Sequence, residues 1–177
     1  MRTDNPAPPG LDGPARLEPW GPDDLPLLQQ LLGDPKMMEH LGGPESPDKL
    51  LERQGRYERP DSRQFKVVER AGGAGVGWVG YWARNRQGQD VYETGWLVLP
   101  AFQGRGLAAH ATAQLIGRAA AERDRRFLHA FPGVRNGPSN AICRKLGFEL
   151  VETREFEYPP GQFMRCNDWR IDLAAHR

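Results

Sequence analysis

The sequence has only two cysteines, Cys143 and Cys166, and only four histidines. The cysteines are too few and too far apart to form a zinc ribbon or a redox Cys-x-x-Cys pair. None of the histidines stands at a zinc-ligand spacing from either cysteine. We therefore expect no metal site and a chain whose thiols stay reduced.

Long apolar runs and an excess of one charge are also missing. No apolar stretch after Met1 and Arg2 could form the core of a signal peptide, and no run of about 18 apolar residues could span a bilayer. Lys plus Arg number 24 against 23 Asp plus Glu, so no large positive field would attract nucleic acid or anionic membrane. We expect a cytoplasmic protein with neither of those partners.

What is present suits one folded domain. The chain has 177 residues, of which 38% are hydrophobic and 27% charged, a balance typical of a single globular domain. Residues 1–14 are rich in proline and glycine, which disfavour both helix and strand pairing. The sequence therefore predicts a flexible arm over residues 1–14 and one domain over residues 15–177.

The spacing of apolar residues changes between about 3.6 and 2 along the chain, as expected for alternating helices and strands. It predicts helices over 23–32, 47–58, 105–123 and 139–146. It predicts strands over 15–20, 65–69, 76–83, 91–99, 126–131, 148–157 and 163–173, with loops at 72–75 and 85–90. The middle three strands form an antiparallel meander, and the order of elements indicates an α+β fold with a mixed sheet.

A glycine-rich turn joins the strand that ends at Leu99 to the longest helix. Gly104 and Gly106 lack a Cβ, so a ligand can approach the main chain, and a helix N-terminus adds unpaired N–H donors. A pyrophosphate would fit there.

The same residues match the dinucleotide fingerprint G-x-G-x-x-A, from Gly104 to Ala109, so a nucleotide-dependent oxidoreductase is an alternative. Against it, residues 100–103 separate the strand from the glycines, and Asp124 precedes the next strand instead of ending it.

Read with Gln103, the turn spells Gln-Gly-Arg-Gly-Leu-Ala over residues 103–108. This segment resembles the Q/R-x-x-G-x-G/A segment of the GNAT acetyltransferases. Asn-Gly-Pro-Ser at 136–139, followed by Lys-Leu-Gly-Phe at 145–148, resembles that superfamily's second signature, and the spacing agrees. The front end, with Leu-Glu-Pro at 17–19, resembles the branch that includes the ribosomal-protein N-terminal acetyltransferases. The resemblance covers residues 15–173.

The resemblance implies a GNAT-like mixed, largely antiparallel sheet with a splayed central strand pair and helices on both faces. Acetyl-CoA is then the cosubstrate, with its pantetheine in the gap and its pyrophosphate on the glycine loop. The cofactor-binding residues so implied are Gln103, Gly104, Arg105, Gly106, Leu107, Ala108, Asn136 and Ser139. Backbone N–H groups in the splayed strand, at Leu97, Val98 and Leu99, are candidates to stabilise the oxyanion of acyl transfer.

An amine attacks a thioester only when unprotonated, so a general base is expected near the acceptor. Glu93 is the first candidate, because Glu-Thr-Gly-Trp at 93–96 resembles the family's E-x-G-aromatic strand. His129 is a rival, and His40 and His110 are weaker. Two positions depart from the family pattern: His110 stands where the branch commonly has Glu, and Cys143 where the superfamily often has Tyr.

The sequence thus predicts an N-acetyltransferase that moves the acetyl group of acetyl-CoA to a primary amine, by direct attack with general-base help. The two departures keep a CoA-binding module without catalysis open, and the oxidoreductase is the third alternative. A peptide N-terminus, a polyamine and an antibiotic amine all remain open as acceptors, as do a monomer and a homodimer.

Overall fold

The computed structural model describes residues 13–157 and 160–176. Within them the strands are β1 Ala15–Pro19, β2 Gln64–Glu69, β3 Gly75–Arg86, β4 Gln89–Val98, β5 Phe127–Ala130, β6 Glu149–Glu157 and β7 Phe163–Asp172. The α-helices are α1 Leu25–Leu32, α2 Pro47–Tyr57, α3 Leu107–Glu122 and α4 Gly137–Lys145. Most of the predicted arm, residues 1–12, lies outside the described residues.

The strands form one sheet in the order β1-β2-β3-β4-β5-β7-β6. Every neighbouring pair is antiparallel except β4 and β5, which are parallel. Helix α3 makes the crossover between these two parallel strands, as such a connection requires. The prediction of an α+β fold with a mixed, largely antiparallel sheet is confirmed.

The parallel pair separates almost as soon as it forms. β4 and β5 are paired only at Tyr92 with Leu128 and at Glu93 with His129. β4 continues to Val98 and stays paired with β3 over that whole length. A gap therefore opens in the middle of the sheet beyond Glu93, which confirms the predicted splayed strand pair.

Helices cover both faces of the sheet. On one face α3 packs on a core that includes Tyr92, Leu115 and Ile116. On the other face α1 and α2 enclose a second core, with Leu28 and Trp78 among its members. Burying each such side chain contributes about 1.5–3 kcal/mol, so both cores hold the sheet between its helices. Among the described residues no helix is long and apolar enough to cross a membrane.

The β3–β4 hairpin differs from the prediction. A loop was expected at residues 85–90, but the strands stay paired out to Arg86 and Gln89. Only Gln87 and Gly88 turn the chain, with φ of 51° and 83°. Two left-handed residues in succession suit the right-handed twist of a hairpin, and Gln-Gly is a weaker signal for such a turn than Asn-Gly. The prediction of a long loop was therefore wrong.

Capping groups place the helix ends. Ser46 Oγ accepts a hydrogen bond from the Lys49 N–H at 3.4 Å and caps α2. The fourth helix begins at Gly137 instead of Ser139, because Asn136 caps it. Helix α3 begins at Leu107 instead of Arg105, because Gly106 takes a left-handed conformation that no helix interior allows.

Candidate active site

The glycine loop lies between the end of β4 and the start of α3. Gly104 and Gly106 both have φ of 76°, and the space where a Cβ would stand is open at each. No side chain caps the first turn of α3, so its leading N–H groups are directed at the loop without an intrahelical partner. This end of the helix carries the positive end of the macrodipole, and an anion is stabilised there.

The loop is not the tight strand-to-helix turn of a dinucleotide-binding unit. A 3₁₀ turn, Pro100–Phe102, stands between β4 and the glycines, and the strand before it belongs to an antiparallel hairpin. Both features count against the oxidoreductase alternative.

Side chains of the loop hold its shape. Gln103 Nε2 donates to the Val98 carbonyl at 2.9 Å. Arg105 donates to Glu69 and to the Ala101 carbonyl, each at 3.0 Å. Leu107 is buried in the core under α3, and Ala108 packs partly against it. These two residues can thus offer a ligand mainly their backbone N–H groups.

One edge of β4 faces β3 and the other faces the gap. Only N–H groups on the gap edge are free to bind a ligand. The Leu99 N–H donates to the carbonyl of Val76, a residue of β3, at 2.9 Å. Because N–H directions alternate along a strand, the Leu97 N–H also faces β3, and the Val98 N–H faces the gap. The Leu99 N–H is thus engaged by β3 and the Leu97 N–H faces it, so Val98 is the one of the three predicted oxyanion donors that faces the gap. Contact of these residues with the cofactor stays a prediction.

The second signature builds the start of α4. Asn136 Oδ1 accepts from the Ser139 N–H at 3.1 Å, so this pair serves first as a helix cap. The predicted contact of both residues with the cofactor stays a prediction. Sequence reasoning missed Asn140, whose buried side chain accepts hydrogen bonds from Asn167 and Trp169 of β7, each at 2.8 Å. Asn140 thereby fixes α4 to the sheet.

Glu93 lies at the last paired residue before β4 and β5 separate. Its carboxylate forms an ion pair with Arg84 of β3, and the side chain is only 13% exposed. Burial raises the pKa of the Glu93 carboxyl, while Arg84, Trp82 and His129 oppose that rise. A carboxyl whose pKa is raised toward neutrality is better matched to taking a proton from an amine.

His129 lies beside Glu93 on β5 and has a buried carboxylate of its own. Its Nδ1 is 2.6 Å from Asp168 Oδ1, and Asp168 also accepts from Arg86 Nε at 2.6 Å. Burial alone would raise the pKa of Asp168. The hydrogen bonds and charges of His129 and Arg86 lower that pKa below its usual value. The pair was missed in the sequence, because Asp168 carries no local motif.

Aromatic side chains flank these charges. Phe131 stacks on His129 with ring centroids 5.9 Å apart. Trp82, the cross-strand partner of Glu93, borders an open cavity of about 260 Å³. That cavity reaches the C-terminal end of α2, and its lining includes Arg56, Tyr57, Arg59, Arg63 and Gln64. Trp82 is thus both the cross-strand partner of the candidate base and part of the cavity wall.

The remaining candidates lie elsewhere or are unreactive. His110 is engaged by the Ala15 backbone, and burial with the charge of Arg70 lowers its pKa. Burial raises the pKa of the Cys143 thiol to about 12, so that thiol is a packing group and stays protonated. In the described part of the chain no group of three His, Cys, Asp or Glu residues could hold a metal ion.

A family model matches most of the chain. The model is described as the acetyltransferase (GNAT) domain, and it covers residues 15–149. No curated protein matches the sequence at a significant level.

Solved structures share the fold at low sequence identity. A GNAT-family acetyltransferase from Bacillus anthracis has a TM-score of 0.78 at 16% identity, over 93% of this chain and 98% of that one. Spermidine N-acetyltransferase from Vibrio cholerae, in complex with CoA and spermine, has a TM-score of 0.77 at 18% identity, over 93% and 99%. The ribosomal L7/L12 alpha-N-protein acetyltransferase RimL, in complex with coenzyme A, has a TM-score of 0.75 at 19% identity, over 93% and 97%.

Proposed function

The chain belongs to the GNAT family of acetyltransferases, and from that premise we propose that it transfers the acetyl group of acetyl-CoA to a primary amine. One observation carries the proposal: an uncapped helix N-terminus, a gap between two parallel strands and a buried carboxylate follow one another along β4 and α3. They supply, in order, an anion site, a slot for an extended chain and a base.

The glycine loop is the proposed site of the pyrophosphate. The open space at Gly104 and Gly106 lets phosphate oxygens reach the backbone, and the N–H groups of Leu107 and Ala108 are donors there. Arg105 is more than half exposed, so its guanidinium can exchange Glu69 for a phosphate oxygen, with which it forms charge-assisted hydrogen bonds.

The gap is the proposed site of the pantetheine and the thioester. Within it the Val98 N–H is the fitting donor to the thioester carbonyl, where negative charge develops when the amine attacks. Gln103 holds the carbonyl of the same residue, and β4 stays paired with β3 through Val98, so the backbone on both sides of the Val98 N–H is held before any ligand arrives. A donor fixed in advance costs no reorganisation during the reaction.

Glu93 is the proposed general base, acting directly or through one water. The acceptor ammonium has a pKa of about 8 for an N-terminus and about 10.4 for a lysine-like amine, so it must lose a proton at neutral pH. The leaving thiolate has a thiol pKa of about 8.5 and can depart without an acid. A Cys at position 143, where the family often has Tyr, is therefore compatible with turnover.

The acceptor is proposed to approach from the side of Trp82, where the open cavity lies. The related structures are named for quite different acceptors, spermidine in one and a ribosomal protein in another. This chain is proposed to use a primary amine of either a peptide N-terminus or a small molecule.

A turnover screen tests the proposal. Acetyl-CoA is supplied with N-terminal peptides and with small amines, and release of the CoA thiol is measured. We expect thiol release that depends on at least one amine class. Tight binding of acetyl-CoA without turnover for any amine would favour the alternative, a CoA-binding module without catalysis, which the departures at His110 and Cys143 keep open.

A further inference from the structure

We propose that His129, oriented by Asp168, is a proton-holding partner of Glu93 and accepts the first proton that Glu93 removes from the amine. The proposal rests on the function proposed above and adds a second titratable group to the same site. His129 acts through Glu93, so it is a positioning residue and not one that touches the substrate.

The first observation is an unpartnered nitrogen. The His129 residue is 1% exposed, and its Nδ1 is engaged by Asp168 at 2.6 Å. Its Nε2 is buried and has no hydrogen-bond partner in the described part of the chain. Buried polar atoms without partners are rare in folded proteins and call for an explanation. A nitrogen that must be able to receive a proton is such an explanation.

The second observation assigns the tautomer. Asp168 is fully buried and bound to Arg86, so it is a carboxylate that can only accept hydrogen bonds. Its partner Nδ1 must then carry the hydrogen. In the neutral ring this leaves a lone pair on Nε2, which is the arrangement of a base.

The third observation is position. His129 and Glu93 are register partners in the parallel ladder, at its last rung before the gap. Paired residues of neighbouring strands project from the same face of a sheet, so the ring and the carboxylate lie on one face of this rung. A positive charge on His129 would favour the ionised form of Glu93, since it opposes the rise of that carboxyl's pKa.

The other charged groups on this face are arranged in pairs. Arg84 is bound to Glu93, and Arg86 is bound to both Asp168 and Glu152. Arg154 lies 3.8 Å from Glu152, and Arg170 binds Glu149. Among the groups named here, His129 is the imidazole, and the others are carboxylates and guanidinium groups held in ion pairs.

The proton balance explains why a second acceptor is useful. The ammonium R–NH₃⁺ gives up one proton before it attacks, and the nitrogen gives up another as the C–N bond of the amide forms and the C–S bond breaks. Glu93 takes the first proton and passes it to Nε2 of His129 through one bridging water, since the two groups share no direct hydrogen bond. This transfer frees the carboxylate for the second proton. The CoA thiolate then takes one of these protons, and the other leaves to solvent, so amide and thiol are formed with one proton released.

A double-mutant cycle tests the coupling. We expect Glu93→Gln to lower kcat roughly 100-fold and His129→Gln roughly 10-fold, with the KM for acetyl-CoA unchanged in both. If the two residues share one proton route, the double variant should be no slower than Glu93→Gln alone. Losses that multiply to roughly 1000-fold would overturn the proposal, and so would a fully active His129→Gln enzyme.

Two further variants separate chemistry from structure. Asp168→Asn keeps the shape, but its amide favours the other tautomer, so Nε2 becomes a donor and the loss should match that of His129→Gln. Glu152→Gln removes the outer carboxylate of the same network and should keep full activity. A loss with Glu152→Gln equal to that with Asp168→Asn would indicate a structural effect and overturn the proposal.

A measurement on the unmodified enzyme covers the case in which His129→Gln does not fold. Nitrogen-15 NMR of histidine-labelled protein should show one ring, among the four histidines, that carries its hydrogen on Nδ1 and whose titration shifts on Glu93→Gln. A hydrogen on Nε2 of the neutral His129 ring would overturn the proposal. The function itself fails differently, since a fully active Glu93→Gln enzyme would remove Glu93 as the base whatever His129 does.

Discussion

At the scale of single residues, the surroundings of Glu93 set two opposing requirements. Burial raises the pKa of its carboxyl, and Arg84 lowers that pKa again. A base needs an ionised form that is populated at neutral pH and a pKa high enough to hold the proton. The ion pair with Arg84 therefore favours the charged form of Glu93, against the burial that favours the neutral acid.

Glu93→Gln removes the base and nearly preserves the shape. We expect acetyl-CoA to bind as before and turnover to fall roughly 100-fold at neutral pH. The loss should shrink as the pH approaches the pKa of the acceptor amine, because solvent then supplies the neutral amine. Rates measured from pH 6 to 10, with exposed Glu149→Gln as the control, check this. A loss that is uniform across pH would mean that Glu93 orients the acceptor.

Arg84→Gln should move the acid limb of the rate profile. Without the guanidinium, the pKa of Glu93 rises further, so the base is protonated up to a higher pH. We expect kcat/KM to fall most at low pH and to recover at high pH, which the pH dependence of kcat/KM measures directly. Arg170→Gln, on the same face but paired with Glu149, is the control. An acid limb that stays in place would contradict the role given to Arg84.

Sequence reasoning found Glu93 and His129 because each stands on a strand next to a recognisable pattern. It could not find Arg84 or Asp168, because both contribute through register between strands. Arg84 lay at the edge of the loop predicted over residues 85–90, whereas the hairpin pairs it with Val91. Asp168 meets His129 only because β7 returns beside β5, a pairing that no local signal predicts.

At the scale of elements, β4 and α3 form the unit that holds the proposed cofactor site. β4 supplies the edge of the gap, the glycines turn the chain, and α3 presents its uncapped end. The element order and the glycine turn could be predicted, because periodicity and glycine chemistry are local. The choice of Val98 over its neighbours could not, because it depends on which N–H groups β3 has already taken.

Gly106→Val tests this unit. A branched side chain would stand in the open space through which a phosphate reaches the backbone, and the left-handed φ of 76° would be strained. We expect the Kd for acetyl-CoA to rise about tenfold or more, since one charge-assisted hydrogen bond contributes about 1.5–3 kcal/mol. Calorimetric titration of the folded variant gives that constant.

Gly88→Val is the matched control for this experiment. Gly88 also has a left-handed φ, 83°, with open space around it, but it lies in the hairpin turn that precedes β4. Both variants carry similar backbone strain, and only the first should weaken cofactor binding. Equal affinities in the two variants would remove the glycine loop from the site.

At the scale of the whole molecule, the family match and the mixed sheet agree with the architecture that the signatures implied. That much could be predicted because two spaced motifs constrain the topology between them. The exact starts of the helices and the β3–β4 turn could not be predicted. They depend on helix caps and left-handed residues, whose interactions contribute only about 1 kcal/mol each.

Ligand linkage gives a test that involves the whole fold. A ligand that binds only the native state at 100 times its Kd stabilises it by about 2.7 kcal/mol. For a chain of this size that corresponds to a rise in Tm of roughly 5–10 °C. We expect acetyl-CoA to produce such a rise and NADH to produce none. A rise in Tm with NADH and not with acetyl-CoA would favour the oxidoreductase alternative.

The two-residue junction between β4 and β5 also has a consequence for amide hydrogen exchange. In the ligand-free protein the Trp96 and Val98 N–H groups face the gap, while the N–H groups of Leu97 and Leu99 are held by β3. Deuterium should therefore enter β4 in a fast-slow alternation beyond Glu93, read residue by residue by NMR. Acetyl-CoA in the gap should slow the fast members alone, and uniform protection along β4 without ligand would show that the gap is closed in solution.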